Sequence, residues 1–325
     1  MNSKMNNTIL ILSSENDWPI NSVVDWINYL GYNTIRVSEI NLNLPSEIEI
    51  STDDKVKKIN ININYSKIKS VWLRRPPFFN FHNNFLKEKI SIDFIEQEKR
   101  AFKMFFHSAL RHGAKVLGSS AQYIDPYYLS KLECLIIAKK CNILTPPTLI
   151  TTSKESLVDF IRNHGKSIFK PLSDPVFVPL NEEVYAMYTQ IINLEMVEKL
   201  SSHVFPVFIQ KYIEKKFEVR AFFMNGTFFS AAIFSQNDPM TSIDYRNYNV
   251  KKENRVVPFL LPETIQNKIK RIFKHFGMNT GSIDLIYSTS EKFYFLEINP
   301  VGQFGMVSSP CNYYLDKKIA AFLVS

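Results

Sequence analysis

The chain has 325 residues, 45% of them hydrophobic and 22% charged, with a formal charge of +8. That composition excludes disordered, collagen-like and mucin-like chains, and the length allows roughly 75% of the unfolded surface to be buried. Its nine glycines form neither G-x-G-x-x-G nor G-x-x-x-x-G-K-[ST], which argues against a Walker-type NTPase or a glycine-fingerprint dinucleotide enzyme.

In chain order, Thr8 to Ser13 reads as a short buried strand, followed by a turn at Asp17-Trp18-Pro19. Ile20, Val23, Val24, Ile27 and Leu30 recur at helical spacing, and Gly31 ends the run. Thr34 to Val37 is a second strand, so the chain opens as a β-α-β unit of a small doubly wound lobe. Ile59 to Asn64 alternates strictly and predicts a half-exposed strand, and Val71 to Pro76 another. A long helix is expected over Ile92 to His112 and a closing strand over Lys115 to Leu117. A second helix begins at Asp125-Pro126, sets Leu129, Leu132, Leu135 and Ile136 on one side, and stops near Asn142. Strands are expected at Thr148 to Ile150 and Ile168 to Lys170. After about residue 205 come strands at Val207 to Tyr212, Val219 to Met224, Thr227 to Phe234, Ser282 to Tyr287 and Phe293 to Ile298. Asn225-Gly226 marks a hairpin, and one helix, Glu263 to Phe276, interrupts the strands. The fold class is α/β with an antiparallel C-terminal sheet. The lobes are expected at 1–118, 119–207 and 208–325, packed directly on one another.

The basic residues are scattered doublets, Lys57-Lys58, Lys139-Lys140, Lys215-Lys216 and Lys251-Lys252, with one denser run from Lys268 to Lys274. This suits an anionic small molecule or an acidic peptide, and no nucleic-acid partner is expected. Cys134, Cys141 and Cys311 form no C-x-x-C pair and read as buried packing in a reducing compartment. The first residues hold only four apolar positions in a row, Ile9 to Leu12, and no stretch approaches 18. The expectation is a cytoplasmic protein without a membrane partner.

Glu297 and Asn299 stand two apart on one strand and leave the same face. If Ser288 to Glu291 turns the chain back, Asp284 lies close to Glu297. Two carboxylates and an amide oxygen suit Mg²⁺ beside nucleotide phosphates; three polar residues on a solvated face would look the same. Lys170, at a strand end before Pro171, and Lys131, near a helix start, could each reach a polyphosphate or simply be solvated. Gln210-Lys211-Tyr212-Ile213 looks like a segment joining two lobes, where an adenine could lie with Glu218 on its ribose. Glu218 with Arg220, and Asp244 with Arg246, alternate onto single strand faces. Either pair could be a structural salt bridge, or its arginine could stabilise charge developing in a transfer reaction.

The order of these segments is more telling than any one of them. Ser130-Lys131, Ile143 to Thr151, Ile168 to Pro171, Ile209 to Ile213, Glu218-Val219-Arg220, Gly281 to Asp284 and Leu296 to Pro300 together resemble the ATP-grasp carboxylate–amine ligases. Val71-Trp72-Leu73-Arg74-Arg75-Pro76 resembles the N-lobe signature of the ATP-grasp peptide maturases that build graspetides. Asn299 to Met306, with Pro310 to Tyr314, looks like their grasp-with-spasm branch. The resemblance implies a fold that clamps ATP between a central and a C-terminal lobe behind an N-terminal pre-ATP-grasp lobe. It puts Lys131 and Lys170 on ATP phosphates, Gln210, Lys211, Tyr212 and Ile213 around adenine, and Glu218 on ribose. Asp284, Glu297 and Asn299 fall on Mg²⁺, while Arg220 and Arg246 hold the transferring phosphate and acyl group. The implied activity is ATP-dependent crosslinking of a ribosomal precursor peptide, leader plus acidic core, into a macrolactam or macrolactone. A homodimer is implied as well. A RimK-like ligase adding amino acids to a protein, and a non-catalytic ATP-binding regulator, are the competing readings. One departure from the family is the segment Leu172 to Pro179, which lacks the glycines many relatives carry after the second lysine.

Overall fold

The computed structural model describes residues 7–41, 49–51, 55–58, 67–75, 78–80, 92–118, 129–172, 177–180, 183–186, 189–247 and 252–325. The alternating stretch Ile59 to Asn64, the helix start at Asp125-Pro126, Pro76 and residues 173–176 lie outside them.

β1 (Thr8–Leu12) is apolar after its first residue because both faces of its sheet are covered. Ile9 and Ile11 enter one core, Leu10 and Leu12 the other. Its neighbours are β2 (Asn33–Val37) and β3 (Ile68–Leu73), with β4 (Lys115–Leu117) beyond β3, all parallel. α1 (Ile20–Tyr29) buries Ile20, Val23 and Ile27 at helical spacing and stops before Gly31, whose φ of +82° favours glycine. α2 (Ile92–Gly113) covers the opposite face with Phe106 and Leu110. The expected doubly wound N-terminal lobe is therefore present.

α3 (Lys131–Lys140) starts where the Ser130 hydroxyl accepts from the Glu133 N–H at 3.2 Å. It buries Cys134, Leu135, Ile137 and Ala138, whereas Leu132 and Ile136 are exposed. The expected apolar side is thus corrected in part: Leu135 is buried and Leu129 packs against the same core, but 132 and 136 lie opposite 134 and 138 at 3.6 residues per turn. β5 (Thr148–Ser153), β6 (Ser167–Lys170), β7 (Gln190–Ile192) and β8 (His203–Lys211) form an antiparallel sheet in the order β7-β6-β8-β5. α4 (Lys154–His164), absent from the sequence reading, lays Leu157, Phe160 and Ile161 on its apolar face. Strand at Glu183–Ala186 and at β7 is followed by a five-residue helix, α5 (Leu194–Glu198). The Asn193 side chain caps α5 by accepting from the Met196 N–H at 2.9 Å, which stops helix from extending upstream.

The C-terminal sheet contains β9 (Lys215–Met224), β10 (Thr227–Phe234), β11 (Arg255–Phe259), β12 (Thr280–Ser288) and β13 (Phe293–Asn299). Their order is β11-β10-β9-β12-β13, antiparallel throughout. Asn225 and Gly226 both take positive φ, +44° and +90°, and close the expected hairpin. α6 (Glu263–His275) packs Ile269, Ile272 and Phe273 on one face of this sheet, and α3 joins the same core. After β13 the chain forms α7 (Gly305–Cys311) and α8 (Leu315–Val324), neither foreseen. α8 returns to the N-terminal lobe and buries Leu315, Ile319, Ala320 and Leu323 against Ile9, Ile11 and Trp72. The expected division at 207/208 falls inside β8, so we place the change of lobe at Tyr212 to Glu214, between β8 and β9.

Candidate active site

Between the central and C-terminal sheets lies a cleft open to solvent. Along one wall, β8 runs through Tyr212 to Glu214 into β9. The segment is pinned by the Lys211 N–H on the Pro147 carbonyl and the Tyr212 N–H on the Lys166 carbonyl, both at 2.9 Å. Those two amides are therefore already used. What the segment offers instead is Gln210, 1% exposed. Its amide nitrogen donates to Thr148 Oγ1 at 2.9 Å, while its Oε1 is buried without a partner. Pro146, Ile168, Ile213, Ile286 and Leu296 add apolar walls. A flat heteroaromatic ring carrying an amine donor fits such a slot.

The floor follows from strand alternation. Glu218 and Arg220 share one face of β9, and Arg220 stands opposite Asp284 on β12. Asp284 in turn stands opposite Glu297 on β13, with a register shift after it that leaves Leu296 unpaired across the strands and lets both Leu296 and Glu297 line the cleft. Arg220 Nη1 donates to both Asp284 oxygens at 3.1 and 2.9 Å and to the Tyr245 hydroxyl at 2.8 Å. Burial pushes the Asp284 carboxyl above its ordinary pKa, and Glu297 adds to that against the pull of Arg220. Two carboxylates crowded this way, with Asn299 two residues along, form a hard-oxygen set suited to a divalent cation. Among the described residues no three His, Cys, Asp or Glu side chains gather at one point. Asn299 Oδ1 also accepts from the Gly302 N–H at 3.3 Å.

Arg246 clamps Asp244 through Nε and Nη2, both at 2.9 Å, and reaches Glu297 through Nη1 at 3.2 Å. Burial alone would raise the Asp244 carboxyl, but Arg246 and the Thr189 hydroxyl outweigh it and hold it down to about 2. The sequence reading placed Asp244 and Arg246 on a strand face. They sit in a turn, closed by the Asn247 N–H on the Asp244 carbonyl at 3.0 Å, so the intervening Tyr245 also lines the cleft. Lys170 points into the same space. Burial lowers its ammonium pKa, Glu297 opposes this, and among the described residues it makes no ion pair. A half-buried cation of this kind suits phosphate oxygens. Lys131 donates to the Pro171 carbonyl at 2.9 Å, beside the end of β6, rather than lining the cleft. Glu218 is 4% exposed and held by the Lys215 ammonium and, at 2.6 Å, by the Ser235 hydroxyl.

The cleft therefore gathers Lys170, Gln210, Lys211, Tyr212, Ile213, Glu218, Arg246, Asp284 and Glu297 along its walls. Arg220 and Asn299 are tied to its floor, and Lys131 to its edge. Tyr245, Thr189, Lys215, Ser235 and Gln303 were missed. A lone hydroxyl, amide or lysine carries no spacing signal, although Tyr245 lay between two residues already singled out.

The prokaryotic glutathione synthetase ATP-grasp domain family matches residues 133–293. No curated protein matches the chain. Among solved structures, a Chryseobacterium gregarium RiPP-associated ATP-grasp ligase in complex with ADP, a leader and a core peptide is 24% identical. The alignment covers 98% of this chain and 96% of that one, with a TM-score of 0.79. The macrocyclase MdnC of Microcystis aeruginosa MRC, bound to its precursor peptide MdnA, is 22% identical over 98% and 99% of the two chains, with a TM-score of 0.72. The ATP-grasp ligase PsnB, with minimal precursor, Mg and ADP, is 15% identical over 97% of each chain, with a TM-score of 0.68. Residues 133–293 therefore carry an ATP-grasp domain match, and the chain shares the fold of these ATP-grasp ligases along nearly its whole length.

Proposed function

We propose that the protein is an ATP-dependent ligase that crosslinks a ribosomal precursor peptide through its acidic side chains. The observation that carries this reading is the facing pair Asp284 and Glu297 in one cleft with the half-buried Lys170 ammonium, next to an apolar slot with the orphaned Gln210 oxygen. The complexes of the similar structures with precursor peptides and ADP support the choice of substrates.

Gln210 to Ile213 hold adenine, Glu218 the ribose, and Lys170 with Lys131 the phosphates. Mg²⁺, held by Asp284, Glu297 and Asn299, supplies neutralisation of phosphate charge. A peptide carboxylate attacks the γ-phosphorus of ATP, the bond to the bridging oxygen breaks, and ADP leaves. A Lys amine or a Ser/Thr hydroxyl of the same peptide then adds to the acyl carbon, loses its proton, and expels phosphate. The protein's part is positioning and charge balance, with Arg220 and Arg246 fixing the carboxylates around the transfer. Closure of the lobes keeps water from the acyl phosphate. The reading places the enzyme in the cytoplasm as a homodimer, with the leader segment bound apart from the core.

Intact mass spectrometry of the acidic peptide encoded beside the gene, incubated with protein, ATP and Mg²⁺, tests this. Loss of whole waters, dependent on ATP and absent with Glu297→Ala, is the expected result. An unchanged peptide without ADP release contradicts it. The match to a glutathione synthetase domain favours a second reading, addition of a free amino acid to a peptide end. Mass gained by one residue when amino acids are supplied would select that reading.

A further inference from the structure

Of the stretches singled out in the sequence, Val71 to Arg75 and the part of Asn299 to Met306 that follows Asn299 have no role in the chemistry just described, yet they meet. Arg74 leaves the end of β3 and is 3% exposed. Its Nε and Nη2 reach Asp17 at 3.1 and 3.4 Å, and its Nη1 donates to the Val301 carbonyl and, at 3.3 Å, to that of Gly302. The guanidinium lies over the rings of Trp72 and Phe304, 5.7 and 5.4 Å from their centroids. Asp17 is itself fixed by Ser13 at 3.1 Å and Arg75 at 3.0 Å.

The loop held this way is rigid at its other side too. Gly302 has φ +57°, and a Cβ there would lie 3.0 Å from the Gly281 Cα and the Phe222 ring. Its N–H donates to the Asn299 carbonyl at 3.0 Å. The next residue, Gln303, is exposed, and its Oε1 accepts from Arg220 Nη2 at 3.4 Å. Arg220 is thereby held at both ends, by Asp284 and Tyr245 on Nη1 and by Gln303 on Nη2. An apolar side chain at 74 would fill the contact between lobes at lower desolvation cost. A guanidinium aimed at two consecutive carbonyls does something more, because it fixes the direction of the backbone.

We propose that Arg74, on the N-terminal lobe, is a positioning residue of the transfer site: it holds the loop after β13 so that Gln303 fixes the outer nitrogen of Arg220. The inference rests on the ligase reading above. The N-terminal lobe is then part of the catalytic apparatus.

A double-mutant cycle tests this with the full chain, its peptide, and saturating ATP and Mg²⁺. Arg74→Lys and Gln303→Ala should each slow ligation about tenfold in kcat, with the KM for ATP, ADP affinity and melting temperature unchanged for Gln303→Ala. The double variant should be no slower than the slower single one. Effects that multiply to about a hundredfold, or a wild-type rate in either single variant, would overturn the proposal. If Arg74→Lys does not fold, Asp17→Asn, which keeps the shape and removes the charge holding Arg74, takes its place in the same cycle. A wild-type protein that converts no peptide sinks the ligase reading and this inference with it, whereas active wild type with additive variants sinks this inference alone.

Discussion

At Gln210 a carboxamide is bound on one side only. The Thr148 hydroxyl is committed to the Pro146 carbonyl at 2.8 Å, so it accepts from the Gln210 amide and cannot donate to Oε1. A buried acceptor left unmatched costs about 1–3 kcal/mol, a cost relieved when a ligand brings a donor. Gln210→Leu should therefore leave the melting temperature unchanged or raise it, while increasing the KM for ATP about tenfold with a smaller change in kcat. Steady-state ADP release checks this, and an unchanged KM would remove Gln210 from the nucleotide site. Such residues were readable in the sequence because they sit on strands, where alternation by two fixes the face. Asp284 across from Glu297 follows from that rule and one turn. Tyr245 was not readable for the complementary reason: in a turn, three consecutive side chains can line one cleft.

Among the elements, α2 carries a titratable group in its buried seam. His107 is 1% exposed and packs edge-on against Phe106, with ring centroids 5.6 Å apart. Burial, helped by the nearby Lys103 charge, lowers its pKa from 6.5 to about 4. Folding then favours the neutral ring while the unfolded chain takes up a proton below 6.5. The stability it contributes is complete above pH 6.5 and falls away as the pH drops toward 4, by about 3 kcal/mol in all. Urea midpoints measured across that window should flatten in His107→Leu; an equal slope in both proteins would refute the assignment. The elements that escaped the sequence reading have identifiable causes. α7 is short and contains Pro310, which reads as a breaker. In α8 the spacing of Leu315, Ile319 and Leu323 was an available helical signal, but its partner lies far away in the chain. For α3 the periodicity was visible but only Leu129 and Leu135 of the chosen side reach the core, because pattern alone does not say which sheet a helix meets.

On the scale of the molecule, the lobes are stitched by contacts between distant segments. Ser70 Oγ donates to the Leu323 carbonyl at 2.7 Å, and Trp26 Nε1 to Asp316 at 3.0 Å. Asn279 accepts from the Gly118 N–H at 2.9 Å and donates to the Val116 carbonyl at 2.7 Å. With α8 completing the N-terminal core, the lobes should unfold together. Leu323→Ala, a fully buried truncation, should cost about 2–5 kcal/mol and shift one calorimetric transition as a whole. A split into two peaks, with only one displaced, would mean the lobes unfold independently. The antiparallel strands of the C-terminal sheet were legible from their alternation and the Asn225-Gly226 turn, but the return of α8 was not, since no local pattern records a contact of such long range. That return has a consequence for how the chain is made. β3 ends at Leu73, and the helix that covers it begins only at Leu315. At ribosomal speed the interval is on the order of tens of seconds. Through that time one side of the N-terminal sheet has only α1 on it, an opening for chaperones, until α8 emerges to complete the cover.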